Sequence, residues 1–446
     1  MKTYSRSPFF ILLGIILIIG LPLVSALELY GGPIIPIQST SGVIWSQTYG
    51  GSSWDACDDL VETQDGEFTM TGAAGMEETD GLGTLWLVHT DSEGQCLWNY
   101  TYTQEESRGA SIVECSNGGY AVAGWIGHWT PNPYIWLVRT DTDGSLMWNY
   151  TYGRGWAEDL VECSDGGFAV FGTTRRAGVA GVTDFYLIRT DADGIVLWER
   201  SYGYSQGDGG NGLALCDDGG FAMVGTSYSF GANPCILFIR TDSDGNNLWN
   251  ATYSVPESDS YGYTVIPLET GFLIAGRTTF GGIWIFRIDT NGNVIWDHKY
   301  LQQMFQGVGE VFVNLDFHSI SKCTNGGYVI VGTGVKEYSP GMYYQEWACM
   351  MRIDENGNFL WSQSFTPSER DELYAVIECS EGGFAVGGMT AIGSPSDSVN
   401  LNMWLLRVAD QEPINTTRLI AGVSGVGFAL LVGFVILRRR EKWPGL

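Results

Sequence analysis

Histidine is scarce in this chain: His89, His128, His298 and His318 are all it has in 446 residues. A serine nucleophile elbow needs histidine and aspartate partners and a strand-to-helix turn. The match at Gly203-Tyr204-Ser205-Gln206-Gly207 lies in a loop between two strands, so it does not read as a hydrolase. Basic residues are also few, 23 Lys and Arg against 50 Asp and Glu, for a net charge of −27. With the residues at the two ends set aside, 16 basic face 49 acidic side chains, a net of −33. Such a field repels nucleic acid and favours cations or basic partners, and it also keeps a protein soluble in a salty exterior. Cysteine is present but in the wrong pattern for a disulfide scaffold. The total is nine, an odd number, and Cys115, Cys163, Cys216, Cys323 and Cys379 share one repeat position. Repeat-equivalent residues lie on different units, whereas a bridge needs Cα atoms within about 7 Å, so these are expected to be small buried packing residues.

Long apolar runs are absent except at the two ends. Lys2 and Arg6 precede the run Phe9–Val24, and Val24-Ser25-Ala26 offers small residues for cleavage, the form of a secretory signal peptide over residues 1–26. Residues 27–40 read as a spacer. Leu419–Leu437 is nineteen uncharged residues followed by Arg438, Arg439, Arg440 and Lys442. This predicts a transmembrane helix over 419–437, a stalk over 411–418 and a cytoplasmic tail over 438–446. The chain is thus expected to be a single-pass type I protein of the cell membrane, with residues 41–410 outside and the lipid bilayer as a partner.

What is abundant is repetition. The third unit runs from W-N-Y-T-Y-G at Trp148 to a final tryptophan at Trp198, and tryptophans recur at Trp45, Trp98, Trp148, Trp198, Trp249, Trp296 and Trp361. Self-similarity near fifty residues outranks other signals. Each unit reads as four short strands, in the third Asp159–Cys163, Phe168–Thr173, Asp184–Thr190 and Ile195–Tyr202. Gly/Asp/Ser links such as Ser164-Asp165-Gly166-Gly167 and Asp191-Ala192-Asp193-Gly194 supply the hairpin chemistry. A lone four-stranded sheet cannot cover both faces, so units must stack. The expected fold is all-β, a seven-bladed β-propeller of four-stranded antiparallel blades. The last unit lacks its fourth strand, and an orphan strand, Gly42–Tyr49, stands before the first. That N-terminal strand is expected to close the ring and remove an open edge.

The pattern Asp-x-x-Gly-x-x-x-Trp, at Asp141/Gly144/Trp148, Asp191/Gly194/Trp198 and Asp242/Gly245/Trp249, resembles the tryptophan-docking repeat of pyrroloquinoline-quinone-type propellers. It is also similar to propeller repeats on archaeal cell-surface proteins. The resemblance covers residues 41–410 and speaks to architecture.

No catalytic pair, cofactor floor or metal ligand set appears at a fixed spacing, and no cofactor is predicted. The Asp141-Thr142-Asp143-Gly144 type of turn lacks the further oxygen ligands of a calcium loop, although Ca2+ elsewhere on the carboxylate-rich loops stays possible. His89 takes the repeat position of Arg139, Arg189, Arg240, Arg287, Arg352 and Arg407. Those arginines are expected to pair with repeat carboxylates such as Glu114 and Glu162. Asn99, Asn149, Asn250 and Asn415 head N-glycosylation acceptors, the first three on the wetter side of the fourth strand.

Loop asymmetry points to function. Links between first and second strands and between third and fourth are short and uniform on one face. The other face varies and is aromatic. Trp54 and Trp156 are expected in fourth-to-first loops, and Trp125, Trp129, Tyr134, Tyr228, Phe230, Tyr343 and Tyr344 in second-to-third loops, with long insertions at 301–318 and 334–347. Loops on a rigid scaffold concentrate function, and aromatics beside carboxylates suit sugars, cations or peptides. The expectation is an extracellular binding or adhesion module for a glycan or protein ligand. The alternatives are an exported enzyme, quinone-dependent or a polysaccharide lyase or hydrolase, and a structural envelope component.

Overall fold

The structure is a computed structural model that describes residues 38–39 and 42–410, apart from 77–82, 104, 128–132, 180, 280–281, 302–311, 340–341, 366–367, 369 and 393–399. The expected signal peptide, most of the spacer, the stalk, the transmembrane helix and the tail lie outside the described residues, as do Trp129 and Asn415. Among the described residues every regular element is a strand, and no helix is long and apolar enough to cross a membrane.

The strands form seven four-stranded antiparallel units, grouped by hydrogen bonding into six sheets. The innermost strands (A) are Trp54–Glu62, Ser107–Glu114, the second half of Leu146–Glu162, Asp208–Leu215, Ser260–Leu268, Phe312–Lys322 and Asp371–Glu378. Each touches the next, and the seventh touches the first, which only strands around a common axis can do. This is a β-propeller. Two sheets merge because Leu146–Glu162 runs unbroken as the outermost strand (D) of blade 2 and strand A of blade 3. The loop expected between Tyr152 and Asp159 is therefore extended strand.

The orphan strand closes the ring. Val43–Tyr49 pairs antiparallel with Asn400–Val408, with Ser46 opposite Leu406 and Tyr49 opposite Met403. Gln38–Ser39 adds a parallel stitch to Phe359–Phe365 of blade 6. The N-terminal segment thus holds two neighbouring blades at once.

The tryptophan repeat is a latch between blades. In each turn joining strands C and D an aspartate accepts two backbone N–H bonds; for Asp141 the donors are Asp143 and Ser145, at 3.1 and 2.8 Å. The glycine three residues on adopts positive φ, +78° at Gly144. With no Cβ there, the Trp of the preceding blade lies flat on it, Trp98 on Gly144 and Trp198 on Gly245. Four residues after that Trp, a Tyr hydroxyl donates to the same glycine's carbonyl: Tyr49 to Gly94 at 2.7 Å, Tyr102 to Gly144 at 2.8 Å, Tyr202 to Gly245 at 2.6 Å. Tyr152, Tyr253 and Tyr300 repeat this bond. At the junction of blades 6 and 7 the residue is Phe365. There the receiving turn is split between the two chain ends, held by the Ala409 N–H to Gly42 carbonyl bond of 2.8 Å. A cleft of about 570 Å³ opens at this split corner, walled by Trp361, Asp354 and Asp410.

The repeat-position cysteines are buried and all nine are free thiols. The repeat arginines do not reach Glu114 or Glu162. Each caps its own blade's A–B turn instead, Arg189 on Asp165 at 2.6 Å, Arg240 on Asp218 at 2.5 Å and Arg139 on Asn117 at 2.5 Å. Glu162 accepts from the Ser116 N–H and hydroxyl of the blade before it, at 2.8 and 2.9 Å. The reason is reach: the arginine lies beside its own turn carbonyls, while the glutamate ends on the neighbouring blade. His89 is structural, between the Thr69 hydroxyl at 2.8 Å and Glu67 at 3.0 Å.

Candidate functional site

Every strand A carries a β-bulge at an equivalent place, and those of blades 1 and 6 carry a second nearer their start. A bulge leaves one residue out of the ladder and re-aims its side chain. On the innermost strands of a ring, the free direction is toward the axis. The seven bulged residues are Asp58, Ala110, Glu158, Asn211, Tyr263, His318 and Tyr374, and none of them is fully buried. The residue two places on is apolar in every blade, from Leu60 to Val376, whereas the bulged residue is polar in six of the seven.

Their contacts link across blades. Arg108, two residues before Ala110, grips Asp58 with two bonds, Nε at 2.6 Å and Nη2 at 2.5 Å. The Tyr374 hydroxyl donates to Glu372 Oε2 at 2.5 Å, and the Tyr374 ring meets His318 edge to face at 4.9 Å. The Arg277 guanidinium pairs with Asp316 at 2.7 Å and lies over the Tyr261 ring at 4.9 Å. Asn211 donates to the Gly262 carbonyl of the next blade at 2.6 Å. Behind the ring, Asp59 accepts from the Ile112 N–H at 2.9 Å and Asp159 from the Leu213 N–H at 2.7 Å. Both aspartates thus tie neighbouring innermost strands together.

The electrostatics follow from crowding acids inside the disc. Burial raises Asp159 to about 7 against the pull of its backbone donors, with Asp59 adding to the rise. Asp59 itself is pushed up to about 6, chiefly by burial. Burial also raises Glu158; the positive charge of Arg108 opposes this, and Asp58 and Asp159 add to it. The Glu158 side chain nevertheless reaches solvent, so its rise comes from the protein enclosing it within the ring and not from full exclusion of water. His318 is lowered to about 4 by burial, with Arg277 adding to the fall, so it is neutral at pH 7. Burial and then Glu372 raise the Tyr374 hydroxyl, which keeps its proton. The collar therefore offers acidic oxygens, phenols, a neutral imidazole and two paired guanidinium groups.

The aromatics expected on the variable face divide. Tyr228 and Phe230 are exposed at 48% and 45%, with Phe230 edge-on to Tyr204 at 4.5 Å. Tyr134 is 40% exposed, but it starts a strand. Its ring carries Arg154 at 4.6 Å, and its hydroxyl accepts from that same side chain at 2.9 Å. Trp54 and Trp156 lie within innermost strands rather than loops, and Trp54 stacks under Arg370 at 4.9 Å. Trp125 is 7% exposed inside strand Tyr120–Ile126. It is a packing residue because its strand runs further than the turn signals suggest. Tyr343 and Tyr344 belong to a long hairpin, Tyr328–Ser339 with Met342–Ile353, in place of the expected insertion loop at 334–347. Among the described residues no group of three His, Cys, Asp or Glu could hold a metal ion. Sequence reasoning missed the axial collar. Its signal was weak: the residue two before the anchoring Leu60, Ile112, Leu160, Leu213, Val265, Ile320 or Val376 is polar in six repeats of seven, but the residue between them varies as well.

No family model and no curated protein matches this chain. Solved structures that it resembles include the BBS1N–ARL6DN complex, at 9% identity over 83% of this chain and 98% of that one, TM-score 0.45. Another is a subtype N10 neuraminidase-like protein from a little yellow-shouldered bat strain, at 11% identity over 69% and 95%, TM-score 0.41. A third is the Trypanosoma rangeli sialidase in complex with sialic acid, at 9% identity over 88% of this chain and 60% of that chain, TM-score 0.39. At such scores these likenesses carry no weight for function, and the reading below rests on this chain's own residues.

Proposed function

We propose that the chain is an exported, membrane-anchored propeller that binds a glycan or a protein surface at the axial mouth of its variable face. The observation that carries this reading is that equivalent bulges free Asp58, Glu158, Asn211, Tyr263, His318 and Tyr374 from the strand ladder and leave none of them fully buried. Packing of an apolar core gives no reason for six polar side chains, of five kinds, on one solvent-reaching collar. Phenol and imidazole faces beside carboxylates and an amide suit sugar rings and polar peptide groups. Export is supported by the N-terminal run and by surface acceptors such as Asn149.

A second reading, an exported enzyme acting on the same ligand, is favoured by one feature. The Tyr374 hydroxyl lies 2.5 Å from Glu372, a donor–carboxylate pair able to move a proton. Both readings are tested by applying the full-length chain to glycan and peptide arrays, beside Glu158→Gln and Tyr374→Phe. Binding lost in both variants, with ligand recovered intact, supports the module; ligand recovered cleaved supports the enzyme. Binding unchanged in both variants overturns the axial assignment.

A further inference from the structure

The C-terminal end leaves the disc at the split corner of blade 7, and that corner sets which face a tethered propeller displays. Strand C of blade 7 ends at Val408 and its strand D begins at Val43, and the Ala409 N–H donates to the Gly42 carbonyl across the gap at 2.8 Å. In an antiparallel A–B–C–D blade, the C–D corner shares a face with the A–B turn. The C-terminal end therefore exits through the uniform face. The bulges, Trp54, Tyr228 and Phe230 lie toward the other face or along the axis behind it.

We infer that the uniform face is held toward the bilayer and that the variable face and the axial mouth point away from it. This rests on the anchored reading above, with residues 419–437 as the span. The tether from Asp410 is the eight residues 411–418, which reach about 28 Å when fully extended. That is about the height of a strand of eight residues, so reversing the disc would take the whole tether, fully extended along the rim, with no residue to spare. Anchoring and display are thereby separated: the membrane takes the face whose turns are alike, and ligands meet the face whose residues differ. The membrane-side turns carry exposed acids such as Asp143, Asp193 and Asp244, so the disc stands off anionic headgroups.

The test uses the full-length chain in phosphatidylcholine vesicles bearing a headgroup energy-transfer acceptor. Cys96 is the exposed thiol among nine, and Cys96→Ala removes it. Donors are then placed one at a time at Ser92→Cys on a C–D turn, or at Ser52→Cys in the link leading into strand A of blade 1. These positions lie on opposite faces beside the split corner, and both are exposed. A second pair, Ser243→Cys and Tyr228→Cys, repeats the comparison on blade 4. The expected result is stronger transfer from Ser92 and Ser243 than from Ser52 and Tyr228. Equal or reversed transfer in chains that float with the vesicles overturns the proposed orientation and leaves the anchored reading intact. Chains that fail to float overturn the anchored reading and, with it, this proposal.

Discussion

Substituting Gly245→Ala tests whether the tryptophan latch holds the blades together, and Gly178→Ala provides the internal control. Both glycines sit at nearly the same positive φ, +75° and +77°. An L-residue in that region costs about 1–2 kcal/mol. Alanine recovers about 0.4–1 kcal/mol by restricting the unfolded chain, so the backbone cost alone is about 1 kcal/mol at either site. The surroundings differ sharply. A Cβ at Gly178 meets nothing within 4 Å, whereas one at Gly245 falls 2.7 and 2.8 Å from the Trp198 ring. The ring must lift off the turn, an overpacking cost of about 1–3 kcal/mol. Lifting it also weakens the Tyr202 hydroxyl bond to the Gly245 carbonyl, worth about 1 kcal/mol. Gly245→Ala should therefore destabilise by about 2 kcal/mol or more beyond Gly178→Ala. Urea denaturation followed by tryptophan fluorescence measures both, with a second probe to check that the transitions coincide. Costs equal within about 0.5 kcal/mol, the usual range for a surface substitution, would refute the latch.

Tyr300→Phe removes one hydroxyl-to-glycine bond and should cost about 1 kcal/mol, while Phe365→Tyr should gain nothing because its receiving turn is split; a gain of similar size in the same denaturation series would contradict that account. Asp159 and Asp59 are raised on folding, so their contribution to stability is full below the unfolded carboxylate range and falls as pH rises through about 6 to 7. Urea midpoints should therefore decline from pH 5 to pH 8 through these groups, and Asp159→Asn should flatten the decline; an unchanged slope would count against the buried-acid explanation. Asn149 is exposed and its Oδ1 accepts from Trp136 Nε1 at 3.1 Å, leaving Nδ2 clear. In a glycosylating host, peptide mass mapping should find sugar on Asn149 and Asn250, and bare asparagines at both would remove them as acceptors.

Much of the wheel was legible because its construction is local. Period-two alternation, Asp/Gly turn chemistry and a missing final strand are written in consecutive residues, and Val43–Tyr49 against Asn400–Val408 follows from them. The site was less legible. Trp125 read as a displayed aromatic because composition cannot tell the end of a strand from the start of a loop. The collar went unseen because a bulge shifts one residue out of alternation, and only the partner strand shows where the shift falls. In Trp54–Glu62 the register steps from Cys57 to Asp59, and Asp58 is the residue set free.

By itself the sequence determined the strand period, the seven repeats and the closing strand, since these depend on neighbours within a few residues of one another. Only the tertiary structure decided that the docking tryptophans serve the following blade, that the repeat arginines cap their own turns, and that the seven bulged residues share an axis. Those outcomes depend on where rotation about the ring brings residues some fifty positions apart, a distance over which the linear pattern holds no geometry.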